Sequence, residues 1–238
     1  MYGFDSRVRY SETDEDGILS IEGMMNYLQD CSTFQSEDIG VGLSYMRGKK
    51  AAWWVYNWNI EIIRMPKLGD TIRIETWPHG FRGIFGYRNF VIRNEKGEIL
   101  VQADSAWFYY DLESMTPSRP PQEDIDAYGS EERLEMSQVP RRMSIPAGGT
   151  ELSPVTVTRH HLDTNHHVNN AQYIEIAREC LPEKTKIRRI WAEYRKAAVL
   201  GDVMVPYRVH SEEGDAEIIS LRDTEGQVYA SVYLYLDE

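Results

Sequence analysis

Cysteine is scarce in this sequence, which has only Cys31 and Cys180 among its 238 residues. So few cysteines exclude a disulfide framework and are typical of a reducing compartment. The first residues, Met1 to Asp5, lead into a predicted strand without the basic and apolar leader of a targeting segment. Together these features predict a cytoplasmic protein.

Long apolar runs and excess positive charge are also missing. No apolar stretch approaches the roughly 20 residues that a membrane-spanning helix needs, so no membrane span is expected. The formal net charge of −12 argues against nucleic acid as the main binding partner. Apolar residues make up 42% of the chain and charged residues 27%, which fits a globular protein long enough for two compact domains.

What the sequence does have is a concentration of histidine at one place. Four of its six histidines lie between His160 and His167, interleaved with Asp163 and Asn165. The residues that follow show the spacing of an amphipathic helix, which Asn169 or Asn170 can cap. The polar cluster is therefore predicted to lie on a turn at the N-terminus of a helix, where backbone N–H groups favour an oxyanion.

The two halves of the sequence repeat one another. Placing Asp14 on Asp163 gives an offset of 163 − 14 = 149 residues, and the same offset places Asp16 on Asn165 and Cys31 on Cys180. Each half is predicted to contain a strand, a loop, a long helix and four antiparallel strands. In the first half the helix begins near Ser20, and the later strands cover Trp53–Ile63, Thr71–Thr76, Tyr87–Arg93 and Ile99–Tyr109. A sheet wrapped around one buried helix satisfies this pattern.

The motif carries a resemblance to a known family. Asp163-x-Asn165-x-His167-Val168-Asn169-Asn170, followed by Tyr173-Ile174, resembles the catalytic segment of the acyl–acyl carrier protein thioesterases. Glu193-Tyr194-Arg195 continues the resemblance, which covers most of the chain. It implies an α+β fold of two tandem hotdog domains, each an antiparallel sheet wrapped around a long central helix.

The predicted domains are a first hotdog domain at residues 1–112 with an acyl-chain pocket, a linker at 113–150 and a second hotdog domain at 151–238 with the catalytic motif. The linker is rich in proline and contains a charged, helix-compatible piece from Gln122 to Met136. The asparagine and the histidine of the motif, Asn165 and His167, occur only in the second half, since the equivalent positions of the first half are Asp16 and Ile18.

The resemblance implies that fatty acyl–acyl carrier protein is hydrolysed to free fatty acid and holo-carrier, with Asp163, Asn165 and His167 as the catalytic set. These residue types suit the chemistry. His167 can act as a general base toward water near neutral pH, and Asn165 can donate to the carbonyl oxygen or the attacking water. Asp163 can orient Asn165 or His167, or activate water itself, and the sequence leaves these roles open. No cofactor is expected.

One departure from the family pattern keeps other functions open. The family continues after Glu-Tyr-Arg-Arg with a Glu-Cys pair, whereas this chain has Ala197-Ala198. The missing carboxylate leaves a non-catalytic or weakly active acyl-thioester-binding module as an alternative, and an acyl-CoA thioesterase is another. A dehydratase or hydratase of the same fold would carry a different motif, which this chain lacks. A zinc site at the four histidines is disfavoured because no second cluster of ligands completes it.

Three basic runs stand out in this acidic chain: Arg47–Lys50, Arg141–Arg142 and Lys184–Arg189. Such runs are usually solvated surfaces. Acyl carrier proteins are strongly acidic, however, so one or two of the runs are predicted to form the docking patch for the carrier. The sequence determines neither the length of the acyl chain nor the oligomeric state, and a homodimer stays open.

Overall fold

The computed structural model describes residues 1–137, 144–146, 148–211 and 215–237. These residues form two compact units. The first comprises Met1–Tyr56 with Ile62–Ser137, and the second comprises Asn57–Glu61 with the described part of Gln138–Glu238. The basic run Arg141–Arg142 lies outside the described residues. Within the described chain, no helix has the length and apolar character needed to cross a membrane.

The first unit is an antiparallel sheet against one long helix. Its elements are β1 (Tyr2–Arg7), α1 (Ile21–Asp38), α2 (Leu43–Gly48), β2 (Ala51–Ile62, of which 57–61 belong to the second unit), β3 (Thr71–Arg82), β4 (Phe85–Asn94), β5 (Ile99–Asp111), β6 (Thr116–Pro117) and α3 (Gln122–Tyr128). The strands follow the order β1-β3-β4-β5-β2, and β6 pairs with β5. The helix and the four later strands that the sequence predicts here are therefore confirmed.

Strand β3 is longer than its sequence pattern indicates. It continues from Thr76 to Arg82, although proline occupies position 78 and cannot donate a ladder hydrogen bond. The pairing register with β4 shifts between Pro78 and Gly80, which is the signature of a bulge. The bulge accommodates the missing N–H group and lets the ladder resume beyond it.

Helix α1 begins at a capped terminus and buries one apolar stripe. The Ser20 side chain accepts a hydrogen bond from the backbone N–H of Gly23 at 3.0 Å, as the sequence predicts for a helix start near this residue. The stripe lies against β3, where the Cys31 thiol is 3.6 Å from the carbonyl oxygen of Ile74. The fully buried members of the stripe are Met24, Met25, Leu28 and Cys31.

The second unit repeats this design. Its elements are β7 (Thr150–Glu151), β8 (Val155–Thr156), α4 (Asn170–Glu179), β9 (Ile187–Tyr194), β10 (Val203–His210), β11 (Ala216–Arg222) and β12 (Val228–Leu236). The strand order is β9-β12-β11-β10-β7, with β8 also on β10 and Asn57–Glu61 of β2 paired with β9. Helix α4 packs on β11 and β12, and its apolar residues Tyr173, Ile174 and Ala177 are buried.

The segment after β5 is helical over a shorter stretch than its composition allows. Helix α3 ends at Tyr128, not near Met136, because Gly129 adopts a left-handed conformation with φ 65° and terminates it. The following residues run extended, and the N–H of Glu131 donates to the carbonyl oxygen of Pro78 at 2.9 Å. The domain boundaries at 112 and 150 stay predictions.

Candidate active site

Asp163, Asn165 and His167 lie within one tight turn between a short 3-10 helix, Arg159–His161, and helix α4. The backbone N–H of Asp163 donates to the carbonyl oxygen of His167 at 2.8 Å, and the N–H of His166 donates back to the carbonyl oxygen of Asp163 at 3.1 Å. A bridge between Leu162 and Val168 closes the turn. The five-residue segment that holds the three predicted residues is therefore closed into a turn by backbone hydrogen bonds.

Asp163 orients Asn165 within this turn. One carboxylate oxygen, Oδ1, accepts the backbone N–H of Asn165 at 2.7 Å, and Oδ2 lies 3.4 Å from the side-chain Nδ2 of the same residue. The contact with the backbone is an Asx turn, which short carboxylate side chains favour. Asn165 is exposed whereas Asp163 and His167 are half-buried, so the amide of Asn165 is accessible to a ligand.

The turn leads directly into the N-terminus of α4. Asn169 is the residue that caps this helix, and its Oδ1 accepts the backbone N–H of Ala171 at 2.9 Å. Asn170, the other predicted candidate, is the first helical residue. The positive end of the helix dipole is therefore next to the turn, as the sequence predicts, and favours negative charge there.

The histidines that neighbour His167 differ in their surroundings. His161 is buried, and its Nδ1 accepts the backbone N–H of Thr158 at 3.0 Å. Burial lowers the pKa of His161, and the adjacent His160 lowers it further. His166 is exposed and has φ 60°, a conformation that side-chain-bearing residues rarely adopt. Nowhere in the described residues do three or more His, Cys, Asp or Glu side chains form a group able to hold a metal ion.

The first half contains the same turn with different side chains. The N–H of Asp14 donates to the carbonyl oxygen of Ile18 at 2.8 Å, and Gly17, with φ 70°, takes the place of His166. Asp14 Oδ1 accepts the backbone N–H groups of Asp16 and Ile18, so it satisfies the loop backbone as predicted. The turn geometry is thus a property of the repeat, whereas an asparagine and a histidine occur in it only in the second half.

The segment after β9 holds the turn in place without supplying a carboxylate. The carbonyl oxygen of Ala198 accepts the backbone N–H of Val168 at 2.9 Å, and the N–H of Ala198 donates to the hydroxyl oxygen of Tyr173 at 2.8 Å. Ala197 stands where the family pattern has Glu. The sequence analysis does not predict these two contacts. The one sequence feature that points to them is a tyrosine, Tyr173, within an apolar helical stripe, because a buried hydroxyl needs a hydrogen-bond partner.

Glu193 does not replace the missing carboxylate. Tyr194 faces α4, because its hydroxyl donates to the carbonyl oxygen of Asn170 and its ring contacts that of Tyr173. Adjacent strand residues point to opposite faces, so Glu193 lies on the other face of β9. It is buried there, with one oxygen 2.9 Å from Nε of Arg195.

The two basic runs that the structure describes differ in their contacts. In the first, Lys49 forms ion pairs with Glu123 and Asp124, and Lys50 pairs with Glu113 at 2.8 Å. In the second, Arg188 pairs with Asp215 at 3.4 Å, and Lys184 and Lys186 are exposed on the segment before β9. Because an ion-paired side chain has less charge to offer a partner, Lys184 and Lys186 are the stronger candidates for contact with an acidic ligand.

Family comparisons match both halves of the chain. Residues 2–128 match the acyl-ACP thioesterase N-terminal domain, and residues 147–234 match the acyl-ACP thioesterase C-terminal domain. A chloroplastic acyl-(acyl-carrier-protein) hydrolase of Cuphea viscosissima is 27% identical over 231 residues, covering 89% of this chain and 56% of the relative. A chloroplastic oleoyl-acyl carrier protein thioesterase of Arabidopsis thaliana is 24% identical over 220 residues, covering 83% of this chain and 60% of the relative. The chain thus spans somewhat more than half the length of these relatives.

Solved structures match the chain over nearly its whole length. An acyl-ACP thioesterase from Bacteroides thetaiotaomicron has a TM-score of 0.89 at 21% identity, covering 99% of this chain and 97% of the other. A 12:0-ACP thioesterase from Umbellularia californica has a TM-score of 0.86 at 21% identity, covering 99% and 96%. These similarities confirm the predicted fold class, an α+β fold of two tandem hotdog domains.

Proposed function

Because this chain belongs to the acyl-ACP thioesterase family, we propose that it hydrolyses fatty acyl–acyl carrier protein to free fatty acid and holo-carrier. The observation that carries the proposal is the turn before α4. Asp163 holds Asn165 through both its backbone and its side chain, and His167 closes the same turn. The equivalent turn of the first half has the backbone geometry but neither the asparagine nor the histidine.

In the proposed reaction His167 is the general base. It removes a proton from water, the water oxygen bonds to the thioester carbonyl carbon, and the carbonyl oxygen becomes an oxyanion. The amide of Asn165 and the positive end of α4 stabilise that oxyanion. The carbon–sulfur bond then breaks, and His167 returns its proton to the thiolate sulfur. Asp163 orients Asn165 in this scheme, which its two contacts with that residue support.

The other parts of the chain have proposed roles as well. We assign the acyl chain to the apolar interior of the first unit, where Met24 and Met25 of α1 are fully buried. The acyl carrier protein is the proposed partner, docking at Lys184 and Lys186. A coenzyme A thioester carries the same reacting bond, so an acyl-CoA thioesterase is the variant to be compared.

A second candidate function rests on Ala197 and Ala198. Without the carboxylate of the family pattern, the site loses one group able to act on water, and a protein that binds acyl thioesters without turning them over becomes the alternative. The two functions differ in one observable. A binding module retains the acyl-carrier thioester intact, whereas an enzyme liberates the carrier thiol.

The deciding experiment follows thiol release from a panel of acyl carrier proteins and coenzyme A loaded with acyl chains of different length. We expect turnover by the wild-type chain and a loss of roughly 10²–10⁴ in kcat for His167→Ala, the range for a general base. His166→Gly is the matched control, because Gly17 occupies the equivalent position with nearly the same φ. Binding without thiol release would identify the binding module. An active His167→Ala together with an inactive His166→Gly would show that the wrong histidine has been assigned.

A further inference from the structure

The hydroxyl of Tyr173 lies at a junction between α4 and the candidate turn. It accepts the N–H of Ala198 at 2.8 Å, and the carbonyl oxygen of Ala198 accepts the N–H of Val168 at 2.9 Å. Tyr173 is 2% exposed and Ala198 is fully buried. A single residue, Ala198, therefore connects the helix to the residue that follows His167.

The first half shows that the turn folds without this connection. The offset of 149 places Met24 on Tyr173, and the offset of 132 given by Leu68 and Leu200 (200 − 68 = 132) places Pro66 on Ala198. The N–H of Leu19 donates to the carbonyl oxygen of Pro66 at 2.9 Å, just as Val168 does to Ala198. Pro66 has no N–H group to donate, and the thioether of Met24 is only a weak acceptor. The hydrogen bond between the Tyr173 hydroxyl and Ala198 thus has no equivalent at Met24 and Pro66, and it occurs in the half that carries Asn165 and His167.

The tyrosine hydroxyl also keeps its own proton. Burial raises the pKa of Tyr173 well above its ordinary value, and the charges of Asp202 and Asp163 act in the same direction. A neutral hydroxyl that accepts one hydrogen bond still has an O–H to donate. Tyr173 therefore keeps an O–H group while its oxygen accepts the N–H of Ala198.

Resting on the function proposed above, we propose that Tyr173 is a positioning residue for the Asp163–Asn165–His167 turn. Its hydroxyl fixes Ala198, and Ala198 in turn fixes the backbone beside His167. A displacement of reacting groups by about 1 Å can lower the rate on the order of 10²-fold. The additional contact that holds this turn should therefore affect kcat more than KM.

The first test is Tyr173→Phe in the full chain, which removes only the hydroxyl. We expect kcat on acyl carrier protein substrates to fall roughly 10- to 100-fold while KM stays within about threefold. Tyr233→Phe is the matched control. It also removes a buried hydroxyl, one that donates to the carbonyl oxygen of Ser144 on the other face of the sheet, and its kcat should stay within about twofold.

A double variant separates positioning from the mere satisfaction of a buried N–H group. Tyr173→Met with Ala198→Pro copies the pair found in the first half and removes donor and acceptor together. Removing both partners of a buried hydrogen bond costs less stability than removing one. We expect the melting temperature to recover relative to Tyr173→Phe while kcat stays low.

Three outcomes would contradict or separate the proposals. A Tyr173→Phe enzyme with wild-type kcat would overturn the positioning role, as would a double variant that recovers kcat along with its melting temperature. If the double variant does not fold, the comparison of Tyr173→Phe with Tyr233→Phe decides. Absence of turnover in the wild-type chain would instead refute the proposed function itself.

Discussion

Both cysteine thiols are kept in their neutral form by burial. The pKa of Cys31 is raised to about 12 and that of Cys180 to about 11, with burial as the largest cause in each case. Thiolates, not thiols, are the nucleophiles of cysteine enzymes. At neutral pH neither residue is suited to form an acyl-enzyme, which agrees with alanine at position 198 where the family pattern has cysteine.

A Cys31→Ala, Cys180→Ala double variant should keep kcat within roughly threefold of wild type, because no thiolate forms at working pH. The measurement is thiol release from an acyl carrier protein substrate. Because the double variant has no cysteine of its own, every thiol detected comes from the carrier. An acyl adduct on Cys180 recovered from a quenched wild-type reaction would contradict hydrolysis by activated water.

At the level of elements, the two long helices have equivalent caps with different consequences. Ser20 caps α1 by accepting from Gly23, and Asn169 caps α4 by accepting from Ala171. The two caps are related by the offset of 169 − 20 = 149 that relates the two turns. Only the cap of α4 directly follows the turn with His167. The direction of the helix N-terminus therefore matters for the proposed chemistry at α4 and not at α1.

Replacing each cap with alanine separates stability from activity. Both Ser20→Ala and Asn169→Ala should destabilise the chain by about 1 kcal/mol, the usual cost of losing a cap. We expect kcat to fall roughly tenfold for Asn169→Ala alone, because its helix terminus faces the turn. Thermal unfolding and turnover are measured on the same preparations. Equal losses of kcat in the two variants would mean that the effect comes from stability and not from the site.

At the level of the whole molecule, the charge balance limits how an acidic carrier can dock. With a formal net charge of −12, the chain as a whole repels an acidic protein, so binding requires a local basic surface. Lys184 and Lys186 are exposed, whereas Lys49 and Lys50 are committed to ion pairs with Glu123, Asp124 and Glu113. The segment before β9 is therefore the surface to test.

Reversing those charges should weaken docking without changing the chemical step. Lys184→Glu with Lys186→Glu is expected to raise KM for the carrier substrate roughly tenfold with kcat unchanged, since exposed ion pairs contribute up to about 1 kcal/mol each. The effect should shrink as salt is added. Lys50→Glu serves as the control. A larger rise in KM for that control would place docking at the Arg47–Lys50 run instead.

Much of the fold could be predicted from the sequence because its determinants are local and periodic. The start of α1 near Ser20 and the positions of the strands follow from the spacing of apolar residues, and the repeat follows from matching residues at an offset of 149. The sequence pattern ends β3 at Thr76, whereas in the structure a bulge in its pairing with β4 accommodates Pro78 and the strand continues to Arg82. The helix-compatible composition extends to Met136, whereas α3 ends at Tyr128, because Gly129 has a positive φ that terminates the helix.

The residues of the candidate turn can be identified from the sequence alone, because Asp163, Asn165 and His167 are so close along the chain that any fold keeps them together. The contacts that hold this turn depend on the packing of distant segments. The hydrogen bonds of Ala198 with Val168 and Tyr173 join segments about 25 to 30 residues apart, and such pairing depends on how β9 and α4 pack. The tertiary structure also determines that Glu193 faces away from α4, because the side to which a strand residue points depends on which face of the sheet the helix covers.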